Sequence, residues 1–205
     1  YWFYPSNSSE VVNRMVSYNY LDSSPQRQIW VTSSLDRTTW SDSAVFGKPH
    51  GTKYTAGNDV SFDVVGNTEG RTAYFEHETG TDQVEAGSVS AIAASVESGD
   101  YDITVTKEGG ATLQGDGEFL MKIRRFLPDF ISQTGNTQIT LNLRDYPNSS
   151  QASSPLGPFT ISSSTTKVDT RARARAVSLK IANTGTAQDW KLGTFRLDIQ
   201  PDGRR

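Results

Sequence analysis

The sequence predicts an all-β protein made of antiparallel sheets. Its plainest strand signal is the run Lys167–Ile181, in which arginine and alanine alternate with the period of two that an extended backbone requires. Elsewhere, short apolar runs recur at intervals of about ten residues between clusters of Ser, Asn, Gly and Pro, the pattern of short strands joined by turns. Only 35% of the 205 residues are hydrophobic, which suits such strands better than long buried helices.

Residues 1–108 are expected to form a first β-rich part, either a propeller-blade-like arrangement or a sandwich. Strands are predicted at 1–4, 12–20, 28–32, 37–40, 60–65, 71–77, 89–96 and 101–106. The opening Tyr1-Trp2-Phe3-Tyr4-Pro5 has four consecutive aromatics and no initiator Met. We therefore expect residue 1 to lie in or beside a strand of a longer polypeptide.

A Gly-rich segment, 109–116, is the predicted link to a C-terminal part, 117–205. The C-terminal part is expected to be an antiparallel β-sandwich of about six strands. Alternation of apolar and polar residues is clear at 137–143 and again at 195–199, where Phe195, Leu197 and Ile199 oppose Arg196 and Asp198.

Arg171, Arg173 and Arg175 form the candidate interaction site. In one extended strand their side chains would share a face at a spacing of about 6.6 Å. Val177 continues the same parity, so the face would change from cationic to apolar unless a bulge follows Arg175. The partner of this row could be the chain's own acids on neighbouring strands, the carboxylates of an adjacent subunit, or a nucleic-acid backbone.

The composition argues against several classes of function. The net charge of −3 gives no global basic field for nucleic acid or membranes, and cysteine is absent. No apolar run approaches the roughly 20 residues of a membrane-spanning helix.

No constellation of residues predicts catalysis, a metal site or a cofactor. His50 and His77 have no second histidine at ligand spacing and are expected to be surface residues. Glu76 and Glu78 lie on one face of a single expected strand, unlike the convergent carboxylates of glycosidases. Four tryptophans could instead form a sugar platform, although aromatics in strands more often pack in a core: Trp2, Trp30, Trp40 and Trp190.

Several segments carry a family resemblance. In the first half they are 2–6, 18–20, 37–40 and 96–103; in the second half they are 124–130, 157–160, 166–173, 190–193 and 196–205. The most specific is the end of the chain, Arg196-Leu197-Asp198-Ile199-Gln200-Pro201-Asp202-Gly203-Arg204-Arg205. Together these segments resemble the C-terminal region of tail-nozzle or tail-hub proteins of short-tailed bacteriophages. The usual residue at position 174 of that pattern is Gly, where this chain has Ala174.

The resemblance implies a non-enzymatic structural component of the phage virion. Its copies would form a ring, typically a homohexamer, around the channel through which DNA leaves, contacting other tail proteins and, transiently, the exiting DNA. Residues 1–45 would be the last blade of a propeller begun upstream. The protein would be made in the host cytoplasm and located in the virion tail, and Arg171, Arg173 and Arg175 would suit a subunit interface. The rival hypothesis is a carbohydrate- or receptor-binding β-sandwich module.

Overall fold

A computed structural model describes residues 1–25, 28–55, 71–85, 87–105, 111–113, 117–146, 154–183 and 185–203. The chain is all-β, as predicted: in these ranges its regular structure is antiparallel strands and one four-residue helix. It divides into two compact units, Tyr1–Gly80 and Thr81–Arg205. No helix in these described ranges has the length and apolar character needed to cross a membrane.

The first unit contains two three-stranded sheets. The sheet ordered β1-β2-β3 consists of β1 (Trp2–Tyr4), β2 (Arg14–Tyr18) and β3 (Trp30–Ser33). The sheet ordered β4-β5-β6 consists of β4 (Thr39–Ser41), β5 (His50–Thr55) and β6 (Arg71–Glu76). Helix α1 (Ser43–Phe46) joins β4 to β5; the Asp42 side chain caps its start, and Gly47 ends it in the left-handed region at φ 77°.

The second unit contains three small pairings and two larger sheets. Its strands are β7 (Asp82–Glu85), β8 (Ser88–Ala91), β9 (Ser95–Glu97), β10 (Ile103–Val105), β11 (Ala111–Leu113), β12 (Met121–Leu127), β13 (Phe130–Thr134), β14 (Thr137–Arg144), β15 (Ser154–Ile161), β16 (Val168–Ala174), β17 (Ala176–Ala182), β18 (Asp189–Leu192) and β19 (Arg196–Pro201). The larger sheets are ordered β16-β12-β19 and β15-β14-β17-β9. Pairs form between β7 and β8, β10 and β11, and β13 and β18.

Alternate residues of the two larger sheets enter one hydrophobic core. Ile123 and Phe126 of β12 lie in it with Ile139 of β14 and Ile181 of β17, each at most 1% exposed. The predicted alternation at the end of the chain holds as well, because Phe195, Leu197 and Ile199 pack against this core. Apolar burial of this kind is the main stabilising term in folding and fixes which face of each strand points inward.

The division between units falls after Gly80, not at the Gly-rich segment 109–116 where the sequence predicted a link. Strand β9 pairs with β17, and Ile103 is buried in the C-terminal core, so residues before 109 belong to the second unit. Of the segment 109–116 the structure describes 111–113, which form β11 and pair with β10. The described part of this segment is therefore a strand of the second unit and does not lie at the boundary between the units.

The strand predicted at 89–96 is two strands in the structure, β8 and β9. The strand predicted at 60–65 lies outside the described residues.

Replacing Phe126 is expected to destabilise the second unit strongly. Its ring lies 5.5 Å from that of Phe159 and 5.4 Å from that of Phe195, and its side chain is fully buried. Phe126→Ala should lower the free energy of unfolding by about 3–5 kcal/mol, because it leaves a cavity that the core cannot fill. Urea titration followed by circular dichroism measures this change.

The matched control is Ile131→Ala in β13, whose side chain is 68% exposed, and it should cost no more than about 0.5 kcal/mol. Equal losses in the two variants would contradict the assignment of the core.

Candidate functional site

The outer face of the β16-β12-β19 sheet carries a concentration of positive charge. On β12, Met121 and Ile123 point into the core, whereas Lys122 and Arg124 are exposed. On β16, Ala172 and Ala174 are buried between the exposed Arg171 and Arg173. In both strands the apolar residues occupy the inner parity, so the charged residues between them are directed outward.

The strand register brings these side chains together. Lys122 lies opposite Arg173 of β16 and Gln200 of β19. Between the pairs Ile123–Ala172 and Arg125–Asp169, β12 supplies Arg124 alone where β16 supplies Thr170 and Arg171. This irregularity places Arg124 and Arg171 at the same level of the sheet.

The side chains surround an open depression of about 540 Å³. Five of its lining residues are cationic and two are carboxylates: Lys122, Arg124, Arg125, Arg171 and Arg173, with Asp169 and Asp202. The depression is therefore a local basic surface on a chain whose net charge is −3.

Two members of the predicted arginine row are held within the chain. The Arg173 Nε donates to the Asp202 carboxylate, and its Nη2 donates to the Asp202 carbonyl oxygen at 3.2 Å. The Arg175 Nη1 donates to the carbonyl oxygens of Gly117 at 3.1 Å and Glu118 at 2.6 Å. Of the three partners considered for the arginine row, these contacts match the first, groups of the chain itself. Arg175, however, binds backbone carbonyls and not a carboxylate.

The predicted row of Arg171, Arg173 and Arg175 does not lie in one continuous strand. Arg175 separates β16 from β17, which belong to different sheets, and the buried parity changes from Ala172 and Ala174 to Val177 and Leu179. The parity conflict between Arg175 and Val177 in the sequence is thus resolved by a break between the sheets at Arg175.

Ion pairs neutralise the carboxylates around the depression. The Arg125 Nε lies 3.7 Å from Asp169 and 3.4 Å from Asp198, and the Lys167 Nζ lies 3.4 Å from Asp169. Because the Asp202 carboxylate is paired with Arg173, three of the five cationic side chains that line the depression have no ion pair among the described residues. We call these three, Lys122, Arg124 and Arg171, the basic face. Lys122 and Arg124 alternate with apolar residues, as the arginines of the row alternate with alanines. Only the strand order shows that the two sets of charges lie side by side.

The tryptophans fall into two classes. Trp2 and Trp30 are exposed, and their ring centroids lie 6.2 Å apart with planes tilted by 36°. Trp40 packs on the His77 ring at 4.7 Å. Trp190 packs on Phe130 and donates its Nε1–H to Asn183 at 3.1 Å. Trp40 and Trp190 therefore each pack against another ring, and Trp2 and Trp30 are the exposed pair.

A buried cation in the first unit was not anticipated from the sequence. Arg37 is 5% exposed, lies over the Phe75 ring at 3.9 Å, and pairs with Asp36 at 2.9 Å. Its Nε donates to the His77 Nε2 at 3.0 Å. His77 is half-buried and not the surface residue predicted, because Arg37 and Trp40 cover its ring.

The arrangement around His77 favours a neutral imidazole. Burial lowers the pKa of His77 below its ordinary value of 6.5, and the charges of Arg37 and His50 lower this pKa further. A protonated Nε2 could not accept the Arg37 hydrogen bond. Predicted as surface, His50 contacts exposed side chains: its Nδ1 is hydrogen-bonded to the Tyr74 hydroxyl, and its ring lies 4.8 Å from that of Phe46.

No protein-family model matches the chain, and no curated protein matches it.

The first unit is expected to lose stability as the pH falls below about 6.5. The unfolded chain binds a proton at His77 at the ordinary pKa, whereas the folded chain binds it only at lower pH. Between those two pKa values the unfolded state carries more protons, so stability is complete above the window and is lost as pH falls through it. Urea midpoints at about pH 7, 6 and 5, followed by tryptophan fluorescence, measure the effect.

The control for this prediction is His77→Gln, which keeps an acceptor for Arg37 but cannot be protonated in this range. Its midpoint should decline less steeply with falling pH than that of the native chain. Identical slopes for the two proteins would show that His77 is not the titrating group.

Proposed function

We propose that this chain is a non-enzymatic structural component of a tailed-phage virion, located in the tail and assembled as a ring of copies around the DNA exit channel. The resemblance described above supports this proposal, since its segments extend from residue 2 to residue 205. Its partners would be its own copies, six in the ring that the resemblance implies, and other tail proteins.

The observation that carries the proposal is an exposed aromatic face on the β1-β2-β3 sheet. Trp2, Tyr4, Tyr18 and Trp30 lie on the same side of this sheet, because Trp2 is in register with Val16 and Trp30 with Tyr18. Trp2 is 56% exposed and Trp30 is 52% exposed. We call these four residues the aromatic face. Tryptophan and tyrosine side chains are the typical anchors of protein interfaces, where burial stabilises the complex.

A second apolar surface lies on the second unit. Val84 of β7 and Val89 of β8 are direct partners in register and are 59% and 58% exposed. In total, 18 large apolar or aromatic side chains among the described residues are exposed. A subunit that is permanently surrounded by others covers such side chains, whereas a solitary one leaves them in water.

These apolar surfaces are better suited to assembly than the arginine row. Arg173 and Arg175 are engaged by Asp202 and by the carbonyls of Gly117 and Glu118. A neighbouring subunit would have to compete with those contacts, and exposed ion pairs contribute at most about 1 kcal/mol. Arg171 is the member of the row that could reach a neighbour without losing one of the ion pairs or side-chain hydrogen bonds that hold Arg173 and Arg175.

The alternative function is a carbohydrate- or receptor-binding module. It is favoured by the same two exposed tryptophans, which could stack on sugar rings. Their mutual tilt of 36° at a centroid separation of 6.2 Å is less suitable for this role, because a flat platform for sugar rings needs nearly coplanar aromatic rings.

The mass of the chain in solution tests the assembly proposal. Multi-angle light scattering should give a defined multimer for the native chain. Trp2→Ser combined with Trp30→Ser should reduce it to smaller species, because the aromatic anchors of the contact are lost. The matched control is Tyr146→Ser, which removes an aromatic side chain that is 59% exposed outside the aromatic face and should leave the multimer intact.

Circular dichroism of each variant establishes that the strands are retained. A native chain that remains monomeric over the whole concentration range would overturn the assembly proposal. Binding of that monomer to an immobilised glycan panel, lost in the double tryptophan variant, would establish the alternative.

A further inference from the structure

The basic face has a compact geometry. Lys122 and Arg124 are two residues apart on β12, and Arg171 lies on the adjacent β16 at the level of Arg124. Residues two apart on a strand are separated by about 6.6 Å, and neighbouring strands by about 4.8 Å. The three strand positions thus fall within about 8 Å of one another, and their side chains line one depression.

Protection of a sheet edge does not explain these charges. Cationic side chains commonly blunt an edge strand against unwanted pairing, and β16 is at the edge of its sheet among the described strands. Lys122 and Arg124, however, lie on β12, the central strand of that sheet. An outer face needs polar residues for solvation, but solvation does not require three neighbouring cations without carboxylate partners.

The lining of the depression also distinguishes between partners. Within the part of the chain that the structure describes, the only apolar residue lining it is Ala172, which is 3% exposed and points into the core. A stable subunit interface has a dehydrated apolar centre surrounded by a polar rim. The basic face has no such centre, so it is better suited to a hydrated contact with a strongly anionic partner.

We propose that the basic face binds the phosphate groups of a nucleic-acid backbone. The guanidinium groups of Arg124 and Arg171 can each donate two parallel hydrogen bonds to a phosphate, and Lys122 adds a point charge. Among the described residues, no aromatic side chain lines the depression to stack on bases. The contact is therefore with the backbone and is independent of base sequence.

The strength of this contact follows from the number of charges. Three neutralised phosphates on a duplex give a slope of about −2.7 in a plot of log K against log salt concentration. Affinity then falls about 40-fold between 50 and 200 mM salt. The inference goes beyond the assembly proposal, since it concerns a different surface of the chain.

Fluorescence anisotropy with a labelled duplex of about 20 base pairs, at salt concentrations of about 50 to 200 mM, tests the proposal. The native chain should bind with the salt slope given above. The triple variant Lys122→Gln, Arg124→Gln and Arg171→Gln should lose binding at least tenfold at the lowest salt.

The matched control carries Lys180→Gln, Lys191→Gln and Arg196→Gln, which remove the same charge from exposed positions outside the basic face. It should bind nearly as well as the native chain. Equal losses in the two triple variants would mean diffuse electrostatic attraction and would overturn the proposal, as would a native chain that binds no duplex at the lowest salt.

Light scattering on the same samples separates this proposal from the proposed function. A basic-face variant that keeps its multimer but loses duplex binding supports the inference. Loss of the multimer in that variant with duplex binding unchanged would assign the basic face to a subunit contact and overturn it. Duplex binding by a native chain that never assembles would sustain the inference while the assembly proposal fails.

Discussion

Burial of the apolar faces of the two larger sheets in one core is the constraint on which the rest of the second unit depends. Ile123 and Phe126 of β12 occupy the same core as Ile139 and Ile181 of the facing strands. A slip of β12 by one residue would carry Lys122 into this core, and an unpaired buried charge costs several kcal/mol. The basic face is therefore held in place by the residues behind it. Its charges need no contacts of their own to be positioned on the surface.

The same constraint explains the path of the chain at Arg175. The alanines of β16 face the core from one sheet, and Val177, Leu179 and Ile181 face it from the other. Both sets can be buried only if the backbone breaks between them. The Arg175 guanidinium is then hydrogen-bonded to carbonyl oxygens of Gly117 and Glu118. A side chain that appeared in the sequence as one of three equivalent charges thus binds backbone near the start of β12.

The sequence was sufficient for the fold class and for several individual strands, because alternation is a local property. The expected strand at 137–143 corresponds to β14. Parity alone marked a conflict after Arg175 and left open a bulge or a change of face; the structure resolves it by ending β16 before Arg175 and starting β17 after it. Partners distant in the chain could not be foreseen in this way. Arg173 and Asp202 are 29 residues apart, and Arg37 and His77 are 40 residues apart. No local sequence pattern predicts either of these contacts.

The boundary between units illustrates the same limit. Glycines at 109–117 resembled a linker, yet the pairing of β9 with β17 and the burial of Ile103 assign the residues before them to the second unit. Strand order likewise decides which charges share a surface. The alternation in β12 indicates that Lys122 and Arg124 are exposed. Their proximity to Arg171 depends on β16 pairing with β12 and not with another strand.

Electrostatics then indicates what kind of partner the basic face can have. Two like charges about 7 Å apart in water repel by about 0.6 kcal/mol, which salt reduces further. Three such charges are therefore tolerated by a core that stabilises the sheet behind them, and the surface persists without a partner. An anion that binds there removes this repulsion and releases its own counterions, but it replaces no apolar surface and so gains nothing from the hydrophobic effect. The resulting contact is reversible and sensitive to salt, in contrast to the burial of Trp2 and Trp30 that a permanent assembly would involve.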